Sequence, residues 1–267
     1  MVTKENVFEC LSGLGVKSSD TVMIHTSMRA LGGVEGGCDG LIDAFKAYLS
    51  DGLFLIPTHT WSNVTRRQPI YDVRSTEPCI GALPTVAAFR ADGVRSLHPT
   101  HSLAAFGARA EEFVRGEEKA SSPCFKDGAW WRLYDEDAFI ILLGVGLDKN
   151  TYIHAIDEML RLPNKLSDPF ELTSVDKDGV EHKTVFCSHS HPTSQYFTNY
   201  KKPLDALSVL SYSTLGTAEV TAMRARELTR VLTHIWKKAE WDLTEVWREI
   251  PEAYYGELIT NTNQNKQ

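Results

Sequence analysis

The chain has 267 residues, 42% hydrophobic and 24% charged, with a formal net charge of −7; this length suits one large α/β domain over residues 1–267. The acidic balance excludes a nucleic-acid partner, which needs clustered Lys and Arg, and is compatible with a cationic substrate. The longest apolar run, AFIILLGVG, is far too short to span a bilayer, and MVTKENVFEC lacks the pattern of a signal peptide.

Five scattered cysteines without a C-x-x-C motif point to free thiols in a reducing compartment. The expectation is a cytoplasmic protein that binds no membrane. Its polar tail, TNTNQNKQ, is expected to fray.

Taken in chain order, NVFECLSGLGV has apolar residues at helical spacing and a glycine stop. TVMIHTSM reads as a strand, ALGGVEGG as a turn, CDGLIDAFKAYL as a helix and LFLIPTHTW as a buried strand. This order is a βαβ unit and predicts a largely parallel sheet. GALPTVAAFRADG follows as a helix and LHPTHSLAAFG as a strand. AFIILLGVGLD is the predicted central strand, and NTYIHAIDEMLRLP a helix that Pro163 ends. ELTSVDKDGVEHKTVFCSH alternates around Asp178-Gly179, the mark of a hairpin, here expected to add antiparallel strands to the main sheet. Two helices, around AEVTAMRARELTRVLTHIWKKA and LTEVWREI, are expected to close the chain.

His154 is the sharpest catalytic candidate. It follows GLDKN at the end of the predicted central strand, where open α/β sheets place ligands. Asp157 and Glu158, three and four residues on, would stand near its imidazole on a helix, and a carboxylate beside histidine supports a general base. The competing reading is a histidine that only caps the helix start.

HTSMRALGGVEGG, from His25, offers hydroxyls, glycines and Arg29 for a phosphate, or else a turn that needs glycine only for its backbone angles. His98, His101, His189 and His191, with Cys187, invite a zinc reading, but H-E-x-x-H is absent and the first pair straddles a proline. Cys124 in SSPCFKDG has only Lys126 nearby to activate it and reads as an inert thiol. Trp130-Trp131 reads as packing, whereas Trp61, at a strand end, is a candidate pocket wall.

Taken together, HTSMRALGGVEGG, LIPTHTW, YDVRSTEPCIGALPTVAAFR, LHPTHSLAAFG, SSPC, LLGVGLDKNTYIHAIDE and RLPNK resemble, in order and spacing, the aminoglycoside 3-N-acetyltransferase family. They cover most of residues 20–165. HPTSQYF and LGTAEVTA are similar to its later blocks.

The resemblance implies a three-layer α/β/α fold with a mixed sheet, acetyl-coenzyme A as donor and no metal. It implies His154 as the base, with Asp157 where glutamate is usual, and Glu158 or Glu219 as alternative partners. It also implies coenzyme contacts from His25, Thr26, Ser27, Met28, Arg29, Ala30 and Leu31, from Thr58 in PTHTW, and from Ser102 near the thioester. His59 stands where phenylalanine is common.

The acceptor amine would attack the thioester directly as its free base, with backbone N–H groups stabilising the oxyanion. A polycationic acceptor calls for carboxylates in the cleft, for which Asp72, Asp157, Glu158 and Glu219 are the candidates. The sequence leaves the acceptor open between an aminoglycoside and another amine. It also leaves the oligomeric state open, a homodimer included.

Overall fold

The computed structural model describes residues 1–190, 193–241 and 249–259. Helix α1 (Lys4–Gly13) starts at Thr3, which forms a reciprocal capping box with Asn6. Strand β1 (Thr21–Thr26), the short α2 (Met28–Leu31), α3 (Gly37–Tyr48) and β2 (Leu53–Pro57) follow. β1 and β2 are parallel, as the βαβ reading required. Next come β3 (Ile70–Asp72), α4 (Ala82–Ala88), β4 (Val94–Arg95), β5 (Leu103–Phe106), α5 (Ala110–Phe113), α6 (Ala129–Asp135) and β6 (Phe139–Leu143). The rest comprises α7 (Tyr152–Met159), β7 (Phe170–Val175), β8 (Glu181–Phe186), α8 (Lys201–Ala206), β9 (Ser211–Leu215), β10 (Ala218–Arg224) and α9 (Ala225–Lys238).

Seven strands form one sheet in the order β4-β5-β2-β1-β6-β10-β9. Parallel pairing is confined to the central β2-β1-β6 group, and antiparallel pairs extend it on both sides. The sheet is therefore mixed. Its faces separate residue by residue because successive side chains point to opposite sides. Met23, Leu55, Ile140 and Leu142 pack with residues of α6, α7 and α9. Val22, Ile24, Phe54 and Ile141 pack with residues of α1, α3 and α4. Helices on both faces make the three layers, and they explain why these strands are apolar throughout.

Three expectations are corrected. The hairpin around Asp178-Gly179 exists, with Asp176 Oδ1 accepting the N–H groups of Asp178 and Val180. It does not join the main sheet: β7 pairs in parallel with β3, giving a separate three-stranded sheet. Leu172 and Phe186 bury that sheet's inner face with Val64 and Tyr71. Alternation along the hairpin encodes a buried face but not the layer that covers it.

The segment predicted as one helix from Ala218 begins instead as β10, whose Val220 and Ala222 are core residues, and turns helical at Ala225. Helix α7 ends at Met159, ahead of Pro163, and Arg161 has a left-handed φ of 53°. Most of LTEVWREI and the polar tail fall outside the described residues. Among those described, no helix is long and apolar enough to cross a membrane.

Candidate active site

A cavity of about 920 Å³ opens where β1, β2 and β6 end, the edge at which open α/β sheets hold ligands. Thr26 and Pro57 line it at the strand ends, and Phe186 and Ser188 enter from the second sheet. Gly144, just after β6, has φ +65° and sits so close to Ala30 that an added Cβ would lie 2.4 Å from it. The loop into α7 depends on that approach. Asn150 Oδ1 then accepts the Tyr152 N–H, and the Tyr152 hydroxyl bonds that of Thr229 on α9, fixing α7 in place.

His154 lines the cavity from α7. Its side chain is 14% exposed, and Nδ1 lies 3.5 Å from Oδ2 of Asp157, which is 2% exposed. Lys165 Nζ is 3.6 Å from the same oxygen. Burial first, and the neighbouring His189 second, pull the His154 imidazole down to about 4, while Asp157 opposes them. It is therefore neutral at pH 7 and able to accept a proton.

Glu158 does not partner His154. Its Oε1 accepts the Cys124 N–H at 2.9 Å and lies 3.1 Å from His189 Nε2, and its Oε2 accepts the Ser122 hydroxyl. His189 brings its ring to 4.2 Å from that of His154 and 5.5 Å from that of His101. Phe197 flanks His154 at 4.9 Å.

His59 lies on the cavity floor, with Nε2 bonded to the Thr151 hydroxyl and its ring stacked on Trp130. Burial drives His59 and His101 well below the usual histidine range, and takes His25 to about 3 and His98 to about 4.

The rival histidine–zinc reading finds little support among the described residues. His98 Nδ1 accepts the N–H groups of Thr100 and His101, and Nε2 donates to the Ser122 carbonyl, so neither nitrogen is available. His191 lies outside the described residues. One group among them brings potential ligand atoms within 4.8 Å of one another: Cys124, Glu158 and His189. Glu158 there already receives hydrogen bonds, and burial pushes the Cys124 thiol well up, holding it protonated.

The other sequence candidates divide. His25 and Thr26 line the cavity, and His25 Nε2 and Thr26 Oγ1 are buried without a hydrogen-bond partner. Ser27 caps α2, Leu31 is a core residue, Met28 and Ala30 pack against that core, and Arg29 is exposed. These five do not line the cavity.

Thr58 and Ser102 are fully buried and bonded to each other through side chain and backbone, tying the β2 end to the start of β5. The Ser102 hydroxyl donates to the Thr58 carbonyl.

Trp61, 52% exposed, lines the cavity. Asp72 is held by the Arg74 guanidinium and Glu219 is exposed on β10; neither lines the cavity. The sequence reading missed His101 and Phe197 as neighbours of the site, His189 as the partner of Glu158, and Arg66, Asp148 and Lys149 as charged wall residues. The polar run around Cys187–His191 was the available signal for His189.

A family model described as aminoglycoside 3-N-acetyltransferase matches residues 23–237. Aminoglycoside N(3)-acetyltransferase III of Serratia marcescens is 27% identical over 196 residues, covering 67% of this chain and 72% of that protein. Aminoglycoside N(3)-acetyltransferase VII of Streptomyces paromomycinus is 30% identical over 182 residues, 61% of this chain and 63% of that protein, so less than two thirds of the second relative is spanned.

Among solved structures, the apoenzyme of aminoglycoside acetyltransferase AAC(3)-IVa superposes with a TM-score of 0.76 at 24% identity, over 94% of this chain and 93% of that one. AAC-IIIb in a binary complex with CoASH gives 0.76 at 19% identity, over 88% and 97%.

Proposed function

Because the chain belongs to the aminoglycoside 3-N-acetyltransferase family, we propose that it transfers the acetyl group of acetyl-coenzyme A to an amine of an aminoglycoside-type acceptor, with His154 as general base. The observation that carries this reading is a neutral imidazole backed by a buried carboxylate on the wall of the cavity.

The coenzyme fits the site on a separate ground. His25 Nε2 and Thr26 Oγ1 are unpaired buried polar atoms on the cavity wall, and such atoms ordinarily find a partner. When bound, acetyl-coenzyme A supplies an acetyl group activated as a thioester. With Nδ1 of His154 turned to Asp157, Nε2 is left to take the proton from the acceptor amine. Asp157 stabilises the imidazolium as it forms, and Lys165 limits how far that stabilisation goes by sharing the same oxygen. Cys124, protonated and buried, takes no part as nucleophile, in keeping with direct transfer.

The reaction so written draws on no metal; activity that survives dialysis against a chelator tests that point. The main test is release of free thiol from acetyl-coenzyme A against a panel of aminoglycosides and simple amines. Acceptor-dependent release supports the reading, and none with any amine rejects it.

A further inference from the structure

Two histidine–carboxylate pairs reach the same cavity from adjacent positions on α7, and the reaction written above uses one of them. In the other, the Glu158 side chain is 7% exposed and its carboxylate is held by three donors: the Ser122 hydroxyl, the Cys124 N–H and His189 Nε2. A carboxylate only accepts, so Nε2 of His189 carries the ring proton, and Nδ1 of the neutral ring keeps its lone pair. His154 has the opposite arrangement, with Nδ1 turned to Asp157 and Nε2 free. Both histidines line the cavity, and their ring centroids are 4.2 Å apart.

The reaction asks for two proton acceptors. An aliphatic amine is an ammonium ion below about pH 8 to 10. It must lose one proton to become nucleophilic and a second once its nitrogen is acylated, and one imidazole takes up one proton. We infer that His189, oriented by Glu158, takes the first proton from the acceptor's ammonium group, and that His154 takes the second. This rests on the acetyl-transfer reading above and adds a catalytic residue to it.

In the first step an N–H bond of the ammonium breaks and Nδ1 of His189 gains the proton. The free amine then bonds the thioester carbon, Nε2 of His154 draws off the second proton, and the C–S bond breaks with its electron pair left on sulfur. His189 is charged at that moment, and its ring repels a proton held on His154, which therefore passes to the sulfur. His189 returns its own proton to water as the products leave, giving the one proton released per turnover.

The titratable groups around His189 are Glu158 and His154 from α7, His98 and His101 ahead of β5, His59 beyond β2, and Cys124 ahead of α6; the Lys165–Asp157 pair stands behind His154. Burial keeps the other histidines neutral and Cys124 protonated. Glu158 is thus the charge in direct contact with the His189 ring, placed to stabilise its imidazolium.

The experiment measures kcat/KM for an aminoglycoside by thiol release between about pH 7 and 10, in wild type, His189→Gln and Glu158→Gln. His189→Gln keeps an N–H able to reach Glu158 and removes the basic nitrogen. Glu158→Gln keeps an acceptor for Ser122 and Cys124 and removes the charge. Thermal unfolding checks that each variant is folded. Without His189 only the free-base fraction of the amine reacts, so the wild-type advantage over His189→Gln should widen about tenfold for each pH unit below the ammonium titration and vanish above it. Glu158→Gln should follow the same trend with a smaller amplitude, and KM for acetyl-coenzyme A should stay within about twofold. A deficit that is constant with pH in both variants, as a purely structural role would give, overturns the assignment. So does a wild-type profile that itself falls tenfold per unit. Wild-type thiol release decides the acetyl-transfer reading by itself, and the pH dependence of the ratio decides this one.

Discussion

The imidazoles of His154 and His189 lie 4.2 Å apart with their planes tilted by 30°, and each faces its own carboxylate, Asp157 or Glu158, from adjacent positions on α7. Two rings this close cannot both carry charge without mutual repulsion. For His154, Asp157 favours the charged imidazole and the neighbouring ring opposes it. Burial is the first influence on the protonation of the proposed base, and the His189 ring the second.

Replacing Asp157 with asparagine removes the one contact that raises the basicity of His154. The expected result is a fall in kcat of about ten- to a hundredfold, within the range for weakened general-base catalysis, with KM for acetyl-coenzyme A nearly unchanged. NMR titration of His154 should show its midpoint move further down, because burial then acts unopposed. An unchanged midpoint with normal kcat would mean that Asp157 serves only packing.

Acid should unfold this protein over a defined window. His25, His59, His98, His101 and His154 all have folded-state values below 6.5, so the unfolded chain binds more protons. Their stabilisation is complete above about pH 6.5 and is lost as the pH falls towards 4. Buried Glu117, raised to about 7, works in the opposite direction: its contribution is present below about 4.5 and disappears as the pH rises through 7. Five groups against one leave stability rising with pH between about 4.5 and 6.5. Denaturant midpoints measured across that range check this, and a flat profile would contradict the buried neutral histidines.

Glu219→Gln should leave the acceptor KM and kcat within about twofold of wild type, because the side chain is exposed and away from the cavity. Asp72→Asn should do the same while loosening the loop that Arg74 closes at 2.6 Å. A severalfold rise in acceptor KM for either variant would place that carboxylate in the binding path.

What the sequence made legible was local. Strand β6 followed by His154 on a helix could be read because an apolar run, a glycine turn and helical spacing are contiguous. Asp157 lies three residues from His154, within one helical turn, and its approach to the imidazole followed from that spacing. Glu158, one residue further, pairs instead with His189 from beyond the hairpin, a long-range contact that no spacing encodes. Thr58 and Ser102 prove to be bonded to each other across neighbouring strands, a pairing no spacing encodes. Polar residues at a strand end look like ligand contacts until the neighbouring strand is seen to satisfy them. The hairpin was recognisable from Asp178-Gly179, but its pairing with β3 rests on register across about a hundred residues.

The most direct measurement is thiol release by His154→Ala set beside calorimetric binding of acetyl-coenzyme A to the same variant. With His154 as the proton acceptor, turnover should fall by about 10²–10⁴ and coenzyme affinity should stay within about twofold, since His25 and Thr26 are untouched. Near-normal turnover in a folded His154→Ala protein would contradict the assignment of the base, whatever acceptor is used.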